Sequence, residues 1–294
     1  MRVLYVGCVM LSEHFMRTVM GIPEAELVGV VSRSAAPKNA DFVSLLPIAA
    51  NAGIPALDYA PEDDDRLAKF VAKTQPDVLF CFGWSHLLPM AIVDALPLGG
   101  IGYHPAELPM NRGRHPLIWA LTLGLDRTAS TFFMLAEEPD AGDIVSQVPI
   151  AISENDDAGS LYRKVVAAGC AQLREFVTSL ARGTLTPTPQ KGGMTNFWRK
   201  RTPADGRIDW RMSARSIYNL VRALARPYPG ADCAIGDGEA KVWKVAVVDL
   251  EMANAEPGKV ISLEHGGIVV KCGEGCVRVI EHEFPRPLEE GTYL

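Results

Sequence analysis

The chain has 294 residues, 48% of them hydrophobic and 22% charged, the composition of a compact globular protein of one large or two ordinary domains. Lys+Arg 29 against Asp+Glu 35 leaves a formal net charge of -6, so the molecule as a whole has no field that would gather nucleic acid or an anionic membrane. No apolar run approaches the roughly 20 residues that cross a bilayer, and the apolar start after Met1-Arg2 is too short for a signal peptide, so a cytoplasmic protein is expected.

In chain order, residues 2–6 read as a buried strand, 11–20 as a helix, 26–32 as a second strand and 40–52 as a second helix. A helix over 63–74 leads to the apolar run 78–82, which reads as a central strand buried on both faces. A short helix over 89–96, a strand at 101–104, a helix at 116–123, strands at 130–134 and 144–149 and a long helix over 159–182 follow. This alternation predicts an α/β domain with an open, mostly parallel, Rossmann-like sheet. Residues 183–201 have no period and read as a connector. Beyond them one helix, 214–225, precedes short strands at 242–249, 258–262, 267–270 and 276–281, separated by Gly-rich turns, which predicts a small β-rich, barrel-like (OB-like) domain. The expected division is 1–191, a linker 192–202, and 203–294.

Six cysteines, Cys8, Cys81, Cys170, Cys233, Cys272 and Cys276, are scattered through a chain too large to need staples, and are expected as buried free thiols. Cys272 and Cys276 with His265 and His282 do not make a zinc spacing, and no metal is expected.

Ligands of a parallel sheet bind at the carboxyl ends of its strands, so the segments after each strand carry the argument. After the first strand, Gly7 to Ser12 lacks the GxGxxG of a dinucleotide site, and no GxxxxGK[ST] phosphate loop occurs anywhere. After the central strand comes Gly83-Trp84-Ser85-His86-Leu87-Leu88-Pro89; after the next, His104 opens a Pro-rich loop that runs to Pro116. A histidine at a strand end has the means to shuttle a proton near neutral pH. Taken singly, His104, Asp140, Arg112, Arg114 and Trp84 each have an ordinary structural explanation.

Taken together they resemble a known family. The run His104-Pro105-Ala106-x-Leu108-Pro109-x-x-Arg112-Gly113-Arg114-x-Pro116, followed by Asp140-x-Gly142-Asp143-Ile144, is similar to the 10-formyltetrahydrofolate-dependent formyltransferases. These include the glycinamide ribonucleotide, methionyl-tRNA and amino-sugar transformylases. A second block, Arg201 to Trp210 with Ile217 to Leu224 and Pro227 to Ala231, resembles the C-terminal domain shared by the methionyl-tRNA and sugar enzymes.

The resemblance implies a one-carbon group transferase in which 10-formyltetrahydrofolate is the donor, His104 the general acid/base and Asp140 the carboxylate that orients it. It implies a folate site at His86, Leu87, Leu88, Arg114, Ala136, Glu137, Glu138, Pro139 and Asp140. One position departs from the pattern: the Asn that usually precedes the catalytic histidine by two residues is Gly102, which takes away a donor for the developing oxyanion. Asn111 and Ser85 are candidate replacements.

For the acceptor, the segment Ser32 to Phe42 with Phe82 to Ser85 looks like the sugar branch, whose members include enzymes acting on nucleotide-linked amino deoxy sugars. Cys8, Met10, Ser12, Asn39, Trp84, Ser85, Pro105 and Asn111 are the candidate acceptor contacts. The net charge weighs against a tRNA partner despite the local basic run Lys191, Arg199, Lys200, Arg201. The expected partner is a small amine, with no membrane, and the resemblance to sugar-modifying enzymes implies a second copy of the chain paired through the C-terminal domain. Hydroxyornithine or methionyl-tRNA as acceptor, formyl-folate hydrolysis, and a non-enzymatic folate- or tRNA-binding module are the competing readings.

Overall fold

The computed structural model describes residues 1–35, 40–60, 63–190, 195–250, 252–263, 267–285 and 287–294. Its contacts divide the chain into two compact units. The first comprises Met1–Gly113, Thr128–Ile150 and Arg163–Trp198, and the second Arg114–Arg127, Ala151–Tyr162 and Arg199–Leu294.

Apart from the end residues Arg127 and Ala151, which fall in the second unit, the first unit holds the strands β1 (Arg2–Val6), β2 (Glu26–Ser32), β3 (Ala56–Asp58), β4 (Val78–Cys81), β5 (Gly100–His104), β6 (Arg112–Gly113), β7 (Arg127–Met134), β8 (Ile144–Ala151) and β9 (Phe197–Trp198). Seven of them form one sheet in the order β3-β2-β1-β4-β5-β7-β8. From β3 to β5 every pair is parallel. The open, mostly parallel sheet expected from the sequence is present, and β7 joins it antiparallel to β5, with Gly102 opposite Phe133 and His104 opposite Thr131.

Period-2 alternation gives the sheet two different faces. On one, Phe82, Tyr103 and Phe132 pack edge-on or tilted against Phe15 of α1 (Met10–Met20), Phe80 and Phe132 against Phe176 of the long helix 158–181, and Tyr5 edge-on against Phe82. On the other, Leu4, Val6, Val31, Leu57 and Leu79 meet Leu67, Val93 and Leu96. The helix expected over 40–52 is shorter, α2 (Leu46–Asn51), because Pro47 suits only a first turn. The residues before it instead run beside the end of β1, with Met10 N–H on Asp41 O (2.9 Å) and Val43 N–H on Cys8 O (3.1 Å). The remaining helices are α3 (Asp64–Thr74), α4 (Met90–Asp94), α5 (Pro116–Thr122), α6 (Ala158–Ala181) and α7 (Ala214–Leu224).

In the second unit, β10 (Ala231–Ile235), β11 (Gly238–Val248), β12 (Val260–Ser262), β13 (Ile268–Lys271) and β14 (Cys276–His282) form a five-stranded antiparallel sheet, in the order β10-β11-β14-β13-β12. Helix α7 begins at Ser213, whose hydroxyl accepts the Ser216 N–H, and buries Ile217, Leu220, Val221 and Leu224. It packs on β11 and α5.

All six cysteines are free, and Cys8, Cys233, Cys272 and Cys276 are buried; burial pushes the Cys8 thiol up to about 11 and Cys272 to about 12. His265 lies outside the described residues, and among those described no three metal-ligating side chains converge. No described helix is long and apolar enough to cross a membrane.

Candidate active site

The strand order reverses between β1 and β4, so the carboxyl ends of β1, β4 and β5 face the place where an open sheet binds ligands. Two of these loops are locked together. Ser12 Oγ donates to Phe82 O (2.6 Å) and accepts from Val9 N–H (3.2 Å), while Cys8 N–H donates to Gly83 O (3.3 Å).

His104, the last residue of β5, is 5% exposed. Its Nε2 lies 2.7 Å from the carbonyl oxygen of Asn111. A carbonyl can only accept, so Nε2 carries the hydrogen and the neutral ring keeps its lone pair on Nδ1. That nitrogen faces Asp140 Oδ2 at 3.8 Å, a distance for ion pairing with a protonated ring but too long for a hydrogen bond. The pair therefore offers one proton-accepting atom, with a carboxylate to balance the charge that the atom acquires.

Both partners are held by loops whose backbone groups are met by side chains. The His104–Asn111 loop is fixed by Thr128 Oγ1 on Pro105 O (2.9 Å), Thr131 Oγ1 on Ala106 O (2.7 Å) and Gln147 Nε2 on Leu108 O (3.0 Å). Asn111, at φ 62°, donates its N–H to Asn196 Oδ1 (2.8 Å). Asp140 also has a left-handed backbone, φ 58°, and its Oδ2 accepts the Gly113 N–H at 2.9 Å. Gly113 must be glycine: its φ is 103°, and a Cβ there would stand 2.4 Å from the Trp198 carbonyl oxygen.

Gln190 closes this arrangement. Its Nε2 donates to the carbonyls of Asp140 (2.8 Å) and Gly142 (2.7 Å), and its Oε1 accepts from Arg112 Nη2 (2.8 Å). Arg112 is 7% exposed, lies over the Phe197 ring at 5.8 Å, and reaches Glu138 through Nη1 (3.1 Å). Gln190 and Asn196 both fall in the stretch that reads from sequence as a mere connector. No local pattern marks them, since their partners lie far away along the chain.

Gly102 lies on the same face of β5 as His104. A Cβ there would meet Phe133 Cζ at 2.7 Å and Leu135 Cδ2 at 2.9 Å. Hydrocarbon therefore occupies the space into which a side chain at this position would project.

Residues 3–177 match the family model described as "Formyl transferase", and residues 200–288 match "Formyl transferase, C-terminal domain". The chain belongs to the formyl transferase family.

Solved structures similar to this chain include an N-formyltransferase from Helicobacter canadensis in complex with folinic acid and dTDP-3-aminofucose. It is 14% identical with TM-score 0.69, and the match covers 95% of this chain and 98% of that one. HypX from Aquifex aeolicus in complex with tetrahydrofolic acid is 20% identical with TM-score 0.65, covering 95% of this chain and 43% of that one. Methionyl-tRNA formyltransferase from Clostridium thermocellum is 14% identical with TM-score 0.58, covering 85% and 95%. The chain thus spans less than half the length of the HypX chains it resembles. At these identities the likeness is one of fold.

Leu87 stands 79% exposed, whereas Leu88 and Trp84 pack against the Leu4–Leu79 face. Ser85 is exposed, and His86 Nε2 lies 3.2 Å from Arg33 Nη1. Glu137, Glu138 and Pro139 form an exposed turn, with Ala136 half-buried before it. Cys8 and Ser12 are buried, Met10 is 36% exposed, and Pro105 is half-buried. Asn39 lies outside the described residues.

Arg114 belongs to the second unit. Its neighbour His115 is pushed down to about 4, by burial first and then by the positive charge of Arg114, Arg201 and Lys200. Nearby in that unit, Arg201 and Arg199 lie over the Trp119 ring at 4.8 and 5.3 Å.

Proposed function

We propose that this formyl transferase moves a formyl group from 10-formyltetrahydrofolate to the amine of a nucleotide-linked amino deoxy sugar. The observation that carries the reading is the His104–Asp140 pair at the carboxyl end of β5, with Nδ1 as its single proton-accepting atom. The donor supplies a formyl carbon on a nitrogen leaving group. His104 Nδ1 takes the proton that the attacking amine sheds, Asp140 Oδ2 balances the charge of the ring, and the same atom returns the proton to the departing nitrogen. With hydrocarbon at Gly102, the protonated ring is the positive charge left to steady the developing oxyanion.

The residues present suit the folate. The N–H groups of Ala136, Glu137 and Glu138 have no acceptor among the described residues, so they are donors for the polar edge of a pterin, and the exposed Leu87 offers apolar contact. The sugar reading is supported by the near end-to-end match to an N-formyltransferase solved with dTDP-3-aminofucose, set against a HypX match that covers less than half of that protein. A nucleic-acid acceptor is disfavoured by the net charge of -6.

The test is incubation with 10-formyltetrahydrofolate and a panel of amines: nucleotide-linked amino sugars, hydroxyornithine and methionyl-tRNA. Release of tetrahydrofolate together with a formamido sugar is expected. Turnover of another amine with every sugar inert removes the sugar assignment, and release of folate with no acceptor present assigns hydrolysis instead.

A further inference from the structure

Toward the opposite edge of the large sheet, the carboxyl ends of β2 and β3 border an open cavity of about 290 Å³ lined by Arg33, Ser34, Asp58, Tyr59 and Arg66 with two alanines. Its walls are built. Asp58 Oδ1 accepts the Ser34 N–H at 2.9 Å, tying the segment after β2 to the end of β3. Tyr59 OH donates to Asp64 Oδ1 at 3.0 Å, and its ring lies 5.5 Å from Trp84.

The chemistry of the lining is cationic. Arg33 has no carboxylate partner among the described residues; its contact there is Nη1 to His86 Nε2 at 3.2 Å. A guanidinium can only donate, so His86 is the acceptor, its ring is neutral, and Arg33 keeps its charge and its other N–H groups. Arg66 holds Asp63 through Nη1 alone (2.6 Å), leaving its other donors. Asp58 Oδ2 has no partner among the described residues. The cavity thus presents two guanidinium groups and one carboxylate oxygen. Forked guanidinium donors match phosphate oxygens, and a carboxylate oxygen accepts from a sugar hydroxyl.

We propose that this cavity seats the diphosphate of a nucleoside diphosphate, its phosphate oxygens on Arg33 and Arg66 and a sugar hydroxyl on Asp58. Through His86 the site adjoins the loop after β4, so the nucleotide of the acceptor is anchored beside the loop expected to meet the folate. The identity of this ligand rests on the amino-sugar reading, but its binding is measurable without turnover.

The experiment is calorimetric titration of the full chain with UDP, dTDP and inorganic pyrophosphate. Saturable binding of at least one nucleotide, displaced by pyrophosphate and weakened at least 10-fold in both Arg33→Ala and Arg66→Ala, is expected. Thermal unfolding of each variant establishes that it is folded, and Arg33→Lys should recover part of the loss. No binding of any probe at millimolar concentration, nucleotide binding that pyrophosphate does not displace, or binding unchanged in both variants overturns the proposal. The two readings fail separately. Turnover of a nucleotide-linked amino sugar with KM unchanged in both variants removes the cavity and keeps the sugar reading. Nucleotide binding lost in both variants, with no amino sugar turned over, does the reverse.

Discussion

Gln190→Ala is the most informative change outside the His104–Asp140 pair. It leaves the carbonyls of Asp140 and Gly142 and one N–H of the buried Arg112 guanidinium without their partner. Two neutral hydrogen bonds at about 1 kcal/mol each and one to a charged group at about 1.5–3 kcal/mol set an upper bound of roughly 4–5 kcal/mol. Gln190 is only half-buried, so water re-enters and the expected loss of stability is about 1–2 kcal/mol. The larger effect is on rate. Asp140 is held in a left-handed conformation by this contact and by Gly113, and a carboxylate displaced by about 1 Å from the imidazole costs on the order of 100-fold. Gln190→Glu separates shape from donation: it still accepts from Arg112 but cannot donate to two carbonyls, and should lose activity as alanine does. The assay is steady-state tetrahydrofolate release across pH, beside urea unfolding. If both variants stay within twofold of the parent in kcat with an unchanged pH profile, Gln190 does not align Asp140 and the reasoning fails.

Two further outcomes follow from the structure. Gly102→Ala forces a methyl against Phe133 and Leu135 and should destabilise by about 1–3 kcal/mol in urea unfolding, part of which Phe133→Leu restores; a neutral substitution would contradict the packing described. His115 is held neutral when folded, with its imidazole at about 4 against an ordinary 6.5, so the unfolded chain takes up a proton first as pH falls. The stability it allows is fully present above about pH 6.5 and declines between 6.5 and 4. After solvent screening this amounts to roughly 1–2 kcal/mol, and it should be absent in His115→Asn, whose side chain tolerates the φ of 57°. Identical pH dependence of the two proteins between pH 7 and 5 would refute it.

The strands of the large sheet were legible where apolar runs were long, at 2–6, 26–32 and 78–81, because burial on both faces leaves a continuous hydrophobic signal. Direction was not legible: β7 pairs antiparallel with β5 although its composition differs little from its parallel neighbours. The three-residue β3 is too short to show a period, and β6 and β9 are two-residue partners joined across a long stretch of chain. His104 and Asp140 were singled out through a motif, and the structure places them 3.8 Å apart and adds which nitrogen is available. Gly102 was visible as a departure. That Phe133 and Leu135 fill its space could not be read, because cross-strand register is a property of the folded sheet.

The central claim is that His104 Nδ1 moves the proton in formyl transfer. Its most direct test is His104→Ala, with single-turnover tetrahydrofolate release and folate affinity measured on the same preparation. The account predicts a loss of at least about 100-fold in rate with folate affinity within a few-fold of the parent. Unchanged turnover would contradict it and take His104 out of the mechanism.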